Sequence, residues 1–391
     1  MRTITRTVWI LSLVSLFTDM ASEMLYPVMP VYLQSIGFSV LIIGILEGVA
    51  EATAGLSKGY FGKWSDTSQR RVPFVQIGYA FSAVSKPMMA LFIAPLWVFA
   101  ARTLDRLGKG IRTGARDAIL SGEATKATKA KVFGFHRSMD TLGAVMGPLF
   151  ALLWLYYHPE DYRTLFLLAF APGLLAVVAS FLLKEKGTPP SSKGKVSFFS
   201  FVHYWHESPR TYRQLVLGLL GFALFNSSDV FLLLKAKSSG MNDSMVIGIY
   251  IFYNLVYALF AFPLGMLADK IGLKKIFITG LVLFAIVYFG MSMAGQNLYL
   301  VASLFLLYGL YAAATEGVSK AWITNITEAK DAATAVGSFS AWQSICSLIA
   351  SSLTGFMWFH FGAAAALAIT AIAALAVAGY LLRIPPPERH K

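Results

Sequence analysis

Residues 102–117 read RTLDRLGKGIRTGARD. Apolar sequence lies on both sides: Pro95, Leu96, Trp97, Val98, Phe99 and Ala100 lead in, and Ala118, Ile119 and Leu120 follow. A charged side chain at the centre of a bilayer costs about 2.5–3.5 kcal/mol on insertion scales. A chain keeps such charges where they face a bundle interior, a partner charge or a wet cavity. The spacing of Arg102, Asp105/Arg106, Lys109 and Arg112/Thr113 is helical, so much of this charge forms one stripe. The stretch therefore predicts a membrane helix with an inward-facing charged side, and other helices that answer it.

The whole composition agrees. The chain has 391 residues, 57% hydrophobic and 14% charged, against about 45–50% and about 25% in soluble domains. Twelve apolar segments, each near the ~20 residues a spanning helix needs, cover 8–33, 39–61, 73–93, 95–119, 132–156, 164–183, 214–235, 244–268, 275–294, 297–324, 333–358 and 362–383. The net charge of +13 sits mostly in alternate loops, as a cytoplasm-facing bias requires, and not in a nucleic-acid-binding patch. That bias predicts a multi-pass protein of the cytoplasmic (inner) membrane with both termini cytoplasmic. The first segment is too long, and too acidic at Asp19 and Glu23, for a cleavable signal. Cys346 stands alone in an apolar run and reads as a packed thiol.

One long polar connection divides the chain into residues 1–184, a cytoplasmic linker 185–213 and residues 214–391. Within the linker, His203, Trp205 and His206 read as an amphipathic stretch on the membrane surface, ahead of a metal cluster. The halves repeat at an offset of about 203 residues, the distance from Gly62 to Gly265. Asp66 then falls opposite Asp269, Gly134 opposite Gly337 and Asp117 opposite Lys320. Repeats of this kind are expected in secondary transporters, with the substrate site near the midplane.

Four short motifs add a resemblance. Residues 62–71, GKWSDTSQRR, resemble the G-x-x-x-D-R-x-G-R-R loop of the major facilitator superfamily through Gly62, Asp66, Arg70 and Arg71; Thr67 and Gln69 depart. Residues 265–275, GMLADKIGLKK, echo it. Residues 102–110 are similar to the fourth-helix motif R-x-x-x-G-x-G-x-G, with Arg106 for its first glycine. Residues 143–148, GAVMGP, are similar to the fifth-helix antiporter motif, without its trailing glycines. The resemblance spans the whole chain. It implies an all-α membrane protein with twelve transmembrane helices in two pseudo-symmetric six-helix bundles. The implied activity is alternating-access transport of a small organic solute, first by proton-coupled export (antiport). The alternative is proton-coupled uptake (symport) of a small metabolite or chelate, anionic ones included. A monomer suffices, and no cofactor beyond the proton gradient is expected.

The residues suggest how such a cycle would run. Asp19 and Glu23 share one face of the first helix, and Glu47 and Glu51 one face of the second. With Arg102 opposite, one of these carboxyls is the expected proton site. Asp66, Arg70, Arg71, Arg112, Arg116, Asp117, Arg137, Asp140 and Asp269 are the expected gate charges, a role the resemblance implies. Gly143, Gly147 and Pro148 are explained by close packing and bending alone. Lys86 is expected to snorkel or to pair with a glutamate of the second helix. Tyr26, Arg106, Asn226, Asp229, Tyr250, Asn254, Glu316, Lys320 and Trp342 are the expected cavity wall, with Glu316 and Lys320 neutralising each other. The sequence holds no metal-ligand cluster, H-E-x-x-H, P-loop or nucleophile elbow, so an enzyme is not expected. A receptor that binds without moving its ligand is the remaining class.

Overall fold

The computed structural model describes residues 4–26, 28–38, 40–185, 200–241, 243–295 and 297–384, which form helices without strands. The first apolar segment is two helices, α1 (Arg6–Glu23) and α2 (Met29–Ser35). α3 (Val40–Ser68), α4 (Val72–Leu91), α5 (Pro95–Gly122), α6 (Lys129–Tyr157) and α7 (Tyr162–Ser180) follow, and α8 (Ser200–Glu207) occupies the linker. The seventh segment is again two pieces, α9 (Arg210–Ala223) and α10 (Val230–Ser238). Then come α11 (Asp243–Ile271), α12 (Leu273–Met293), α13 (Leu298–Asn325), a 3-10 turn at Ala329–Asp331, and α14 (Ala332–Arg383). Gly362, at φ +82°, breaks α14 into the eleventh and twelfth segments.

Local chemistry sets these boundaries. Thr5, Asp161 and Asn297 accept hydrogen bonds from the amides of Val8, Thr164 and Leu300 at the starts of α1, α7 and α13, as N-cap residues do. Pro95 opens α5, where a missing N–H costs nothing. Among the described residues, six helical stretches are long and apolar enough to cross a membrane: Lys129–Tyr157, Tyr162–Ser180, Met245–Ile271, Leu273–Met293, Leu298–Asn325 and Ala329–Arg383. The last holds two of the twelve segments. The others are interrupted, as in α1/α2 and α9/α10, or diluted by polar residues, as in α3, α4 and α5.

Two compact units result. The first is Met1–Ala124, Met139–His206 and Glu328–Ala341; the second is Thr125–Ser138, Glu207–Thr327 and Trp342–Lys391. Each unit thus includes one helix start from the other half of the sequence. In the first, α5 packs on α3 and α4, and α7 on α1 and α4; in the second, α13 packs on α11 and α12. Buried Tyr32, Leu33, Leu165 and Phe166 centre one apolar cluster of the first unit, with Tyr32 edge-on to Phe166 at 4.8 Å.

The borrowed starts are held by glycine. In the first unit Gly62 faces the carbonyl of Ala333, and Gly337 that of Lys58. In the second unit Gly265 faces the carbonyl of Ala130, and Gly134 that of Ala261. Every one of these pairs maps onto another through the offset of about 203 residues read from Gly62 and Gly265. A Cβ at any of the four glycines would run into the opposing backbone oxygen. We expect Gly134→Leu to destabilise the protein by about 1–3 kcal/mol, the usual cost of overpacking. Gly379→Ala, which meets open space, is expected to cost nothing. Thermal unfolding in detergent distinguishes the two.

Candidate functional site

The loop between α3 and α4 works as a cap. Asp66, buried, accepts from the amide of Thr334 at 2.7 Å and from its hydroxyl at 2.8 Å, on the first turn of α14. Arg71 Nη2 donates to Asp66 Oδ1 and to the carbonyl of Ala329, both at 2.8 Å. The second unit repeats this: Asp269 accepts from the amides of Ala130 (3.0 Å) and Lys131 (2.7 Å) on the first turn of α6. A carboxylate there satisfies orphan N–H groups and meets the positive end of the helix dipole. Glu185 does the same for α4, accepting from the amides of Arg71 (3.1 Å) and Val72 (2.8 Å). Arg70 is exposed. Gln69 adopts φ +52°, and its repeat mate Gly272 adopts φ +110°. The loop bends through the left-handed region at both places, which explains why the resembling motif carries glycine where this chain has Gln69.

The charges of α5 divide among several neighbours. Lys86 and Asp105 form a buried ion pair at 2.7 Å, and Lys86 Nζ also donates to Ser22 Oγ at 3.2 Å. Lys86 therefore neither snorkels nor needs a glutamate of α3. Buried Arg102 and half-buried Arg106 add their fields to Asp105. Arg112, buried, lies 4.5 Å over the Tyr79 ring and donates to Ser82 Oγ at 2.6 Å, so it is held by α4. Arg116 Nε pairs with Asp117 Oδ1 at 3.0 Å.

Arg116 also begins a chain that ends at Asp19. Its Nη1 lies 3.5 Å from Ser15 Oγ, which donates to Asp140 Oδ1 in a short hydrogen bond. Asp140 in turn lies beside Asp19, close enough for the two carboxyls to act on each other. Gly143 and Gly147 make this meeting possible. Gly143 lies against the backbone of Leu16 and Met20, and Gly147 against Met20 and Met24. α6 thus approaches α1 at backbone distance, and Asp140, one turn before Gly143, is delivered to the Ser15/Asp19 face. These glycines set the geometry of a carboxyl pair, a role beyond the packing expected of them. Glu23 and Lys109 also act electrostatically on Asp19. The side chains of Glu47 and Glu51 lie outside the described residues. Tyr26, just past α1, is exposed.

In the second unit Arg137 donates from Nε to Tyr257 Oη in a short bond and lies 3.5 Å from Glu316. Glu316 thus has an arginine partner; Lys320, expected to neutralise it, is half-buried on α13. Trp342 is half-buried on α14. Asp229, in the break between α9 and α10, accepts from Tyr253 Oη and Tyr308 Oη, each at 2.5 Å. Asn226 Nδ2 donates to Tyr311 Oη at 3.2 Å, and buried Asn254 donates to the carbonyl of Tyr250 at 3.0 Å. Sequence reading placed Asp229, Tyr250 and Asn226 here but missed Tyr308 and Tyr311. Their spacing along α13 was visible; their partner across the bundle was not. Among the described residues no group of three or more His, Cys, Asp or Glu is placed to hold a metal.

Two repeated helical units, each with an acidic cap on a borrowed helix start and charge buried inside, define a polytopic membrane transporter. The chain belongs to the Major Facilitator Superfamily, whose family profile matches residues 11–253 and 233–391. It is 33% identical to an uncharacterized MFS-type transporter of Methanocaldococcus jannaschii, over 91% of this chain and 89% of that one. An uncharacterized MFS-type transporter of Bacillus subtilis is 27% identical over 45% of this chain and 43% of its own length. The human organic anion transporter MFSD10 shares the fold with a TM-score of 0.81 at 15% identity, over 96% of this chain and 99% of that one. The Escherichia coli fucose:proton symporter FucP gives 0.78 at 12% identity, over 99% and 100%. Members of this family are transporters, not enzymes.

The buried pair of the first unit makes a prediction of its own. Lys86→Ala leaves Asp105 without its ammonium partner and is expected to cost about 3–5 kcal/mol. The joint replacement Lys86→Met with Asp105→Leu is expected to recover most of that loss. Both are read from denaturation midpoints of the purified protein.

Proposed function

We propose that the protein is a proton-coupled antiporter that exports a small organic solute across the cytoplasmic membrane, with both termini on the cytoplasmic side and one chain sufficient. The contact between Asp19 and Asp140 carries this reading. Two adjacent carboxyls do not both ionise, so such a pair holds a single shared proton. Removing it would leave two like charges side by side; at 4 Å and an effective dielectric of 20 these repel by about 4 kcal/mol. The proton therefore leaves when a cation or water reaches the pair. Lys109, on the exposed side of α5, and Arg116, through Ser15, are the groups that would supply that charge. A solute or helix movement that changes their reach changes proton occupancy, which is what coupling needs. Asp140 takes a proton-carrying role here in place of the gating role the sequence suggested. The capping carboxylates Asp66 and Asp269 hold helix starts that a rocking cycle would have to release.

Proton movement in proteoliposomes under an imposed pH gradient tests this, with small organic cations and acids added in turn. Wild-type protein is expected to move protons outward or inward against a transported compound. Asp19→Asn and Asp140→Asn are each expected to cut that movement at least tenfold, while thermal shift by the same compound persists. Wild-type rates in both variants would overturn the proton assignment. Proton flow in the same direction as the solute would replace antiport with symport.

A further inference from the structure

We infer that the second unit binds the cationic end of an organic ammonium-type solute at Asp229, between the tyrosines of α11 and α13. The inference rests on the reading of the chain as a solute transporter and names the class of its solute.

Asp229 is the carboxylate of the cluster, and its situation is unusual. It lies in a break between two short helices, at the first position before α10, yet its side chain caps no amide there. Both of its oxygens turn instead to tyrosine hydroxyls, Oδ2 to Tyr253 and Oδ1 to Tyr308. Among the described residues it has no cationic partner. Lys235 and Lys237 are on the same helix but in its last turn, roughly 9–12 Å along the axis at 1.5 Å per residue. An anion inside a membrane bundle without a counter-charge is expensive, and chains keep one where function supplies the missing charge.

The surroundings say what kind of charge fits. Tyr250 meets Tyr253 edge-on at 5.4 Å, Tyr253 meets Tyr308 at 5.3 Å, and Tyr308 meets Tyr311 at 5.4 Å. Phe284 and Phe305 extend this aromatic wall. Ring faces are electronegative and attract cations within about 6 Å. An anionic solute would find the opposite of what it needs. The Tyr253 and Tyr308 hydroxyls are already spent as donors on Asp229, and the Asn226 amide donates to Tyr311. Access is also one-sided: Tyr253, Tyr308 and Tyr311 are buried, whereas Asp229, Asn226 and Tyr250 are partly open. The carboxylate and the Tyr250 ring are the parts a ligand can reach. The anionic metabolite considered from the sequence does not fit this cluster.

Ethidium, a permanent aromatic cation whose fluorescence anisotropy rises on binding, is the probe, with full-length protein in detergent. Tetraphenylphosphonium and tetraphenylborate have nearly the same shape and opposite charge. The phosphonium is expected to displace ethidium at least tenfold more effectively than the borate. Asp229→Asn is expected to weaken ethidium binding at least tenfold, with Asp229→Glu staying within about threefold of wild type. Equal displacement by the two ions, or wild-type binding by Asp229→Asn, would overturn the inference. The displacement arm uses wild-type protein alone, so it decides the matter even where a variant does not fold. Ethidium binding without any ethidium-driven proton movement in proteoliposomes would remove antiport and leave the cation site standing.

Discussion

Helices in a bilayer gain little from hiding apolar side chains, because lipid is as apolar as leucine; they cohere where their backbones can come close. Close backbone approach is the constraint on which this structure depends. Gly62, Gly134, Gly265 and Gly337 allow it where one helix start meets another helix end, and Gly143 and Gly147 allow it between α6 and α1. Polar groups are then placed as a consequence. Asp66 and Asp269 reach helix-start amides because the neighbouring glycines let those helices in. Asp140 reaches Asp19 for the same reason.

The buried charges follow a second rule, that each is answered locally. Lys86 answers Asp105, Tyr79 and Ser82 answer Arg112, and Asp117 answers Arg116. Such pairs are weak sources of stability, since desolvation offsets most of their attraction. Their effect is on register: a helix that slid by one turn would leave several charges stranded. Against this background of matched charges, the carboxyl pair at Asp19 and the tyrosine-held carboxylate at Asp229 stand apart. One brings two carboxyls together, and the other is a carboxylate without a cationic partner among the described residues. The two units thus bury different chemistry.

Much of this was legible in the sequence, for identifiable reasons. Segment length and apolarity gave the helices, and the offset between Gly62 and Gly265 gave the repeat. The repeat in turn paired Asp66 with Asp269, whose capping roles are indeed alike. What stayed hidden was which helix faces which. Asp140 reads with Arg137 as a gate charge, because the two are neighbours in sequence. The glycines after Asp140 bring it against α1, whereas Arg137 turns to Tyr257 and Glu316. Lys86 pairs with Asp105 and not with a glutamate of α3, because sequence alone does not show that Asp105, within a stripe of positive charge, faces α4. In sequence Tyr308 and Tyr311 are indistinguishable from lipid-facing aromatics; the structure sets Tyr308 with Tyr253 on Asp229 and Tyr311 on Asn226. Gln69 departed from a motif glycine without any visible reason, and its positive φ now shows what that glycine would have relieved.

The exchange of helix starts also bears on how the chain is made. The first unit lacks its last piece, Glu328–Ala341, until long after His206 has been synthesised. At about 5–20 residues per second, the ribosome takes roughly 7–27 s to cover that interval. During this time Asp66 has Arg71 but not Thr334, Gly62 lacks Ala333, and the nascent first half waits in the membrane with an open socket. A second socket, around Asp269, forms only as α11 emerges, and its occupant, Ala130, is already waiting. Assembly of this protein is thus a late event, completed when the chain's final third returns to close what its first third left unfinished.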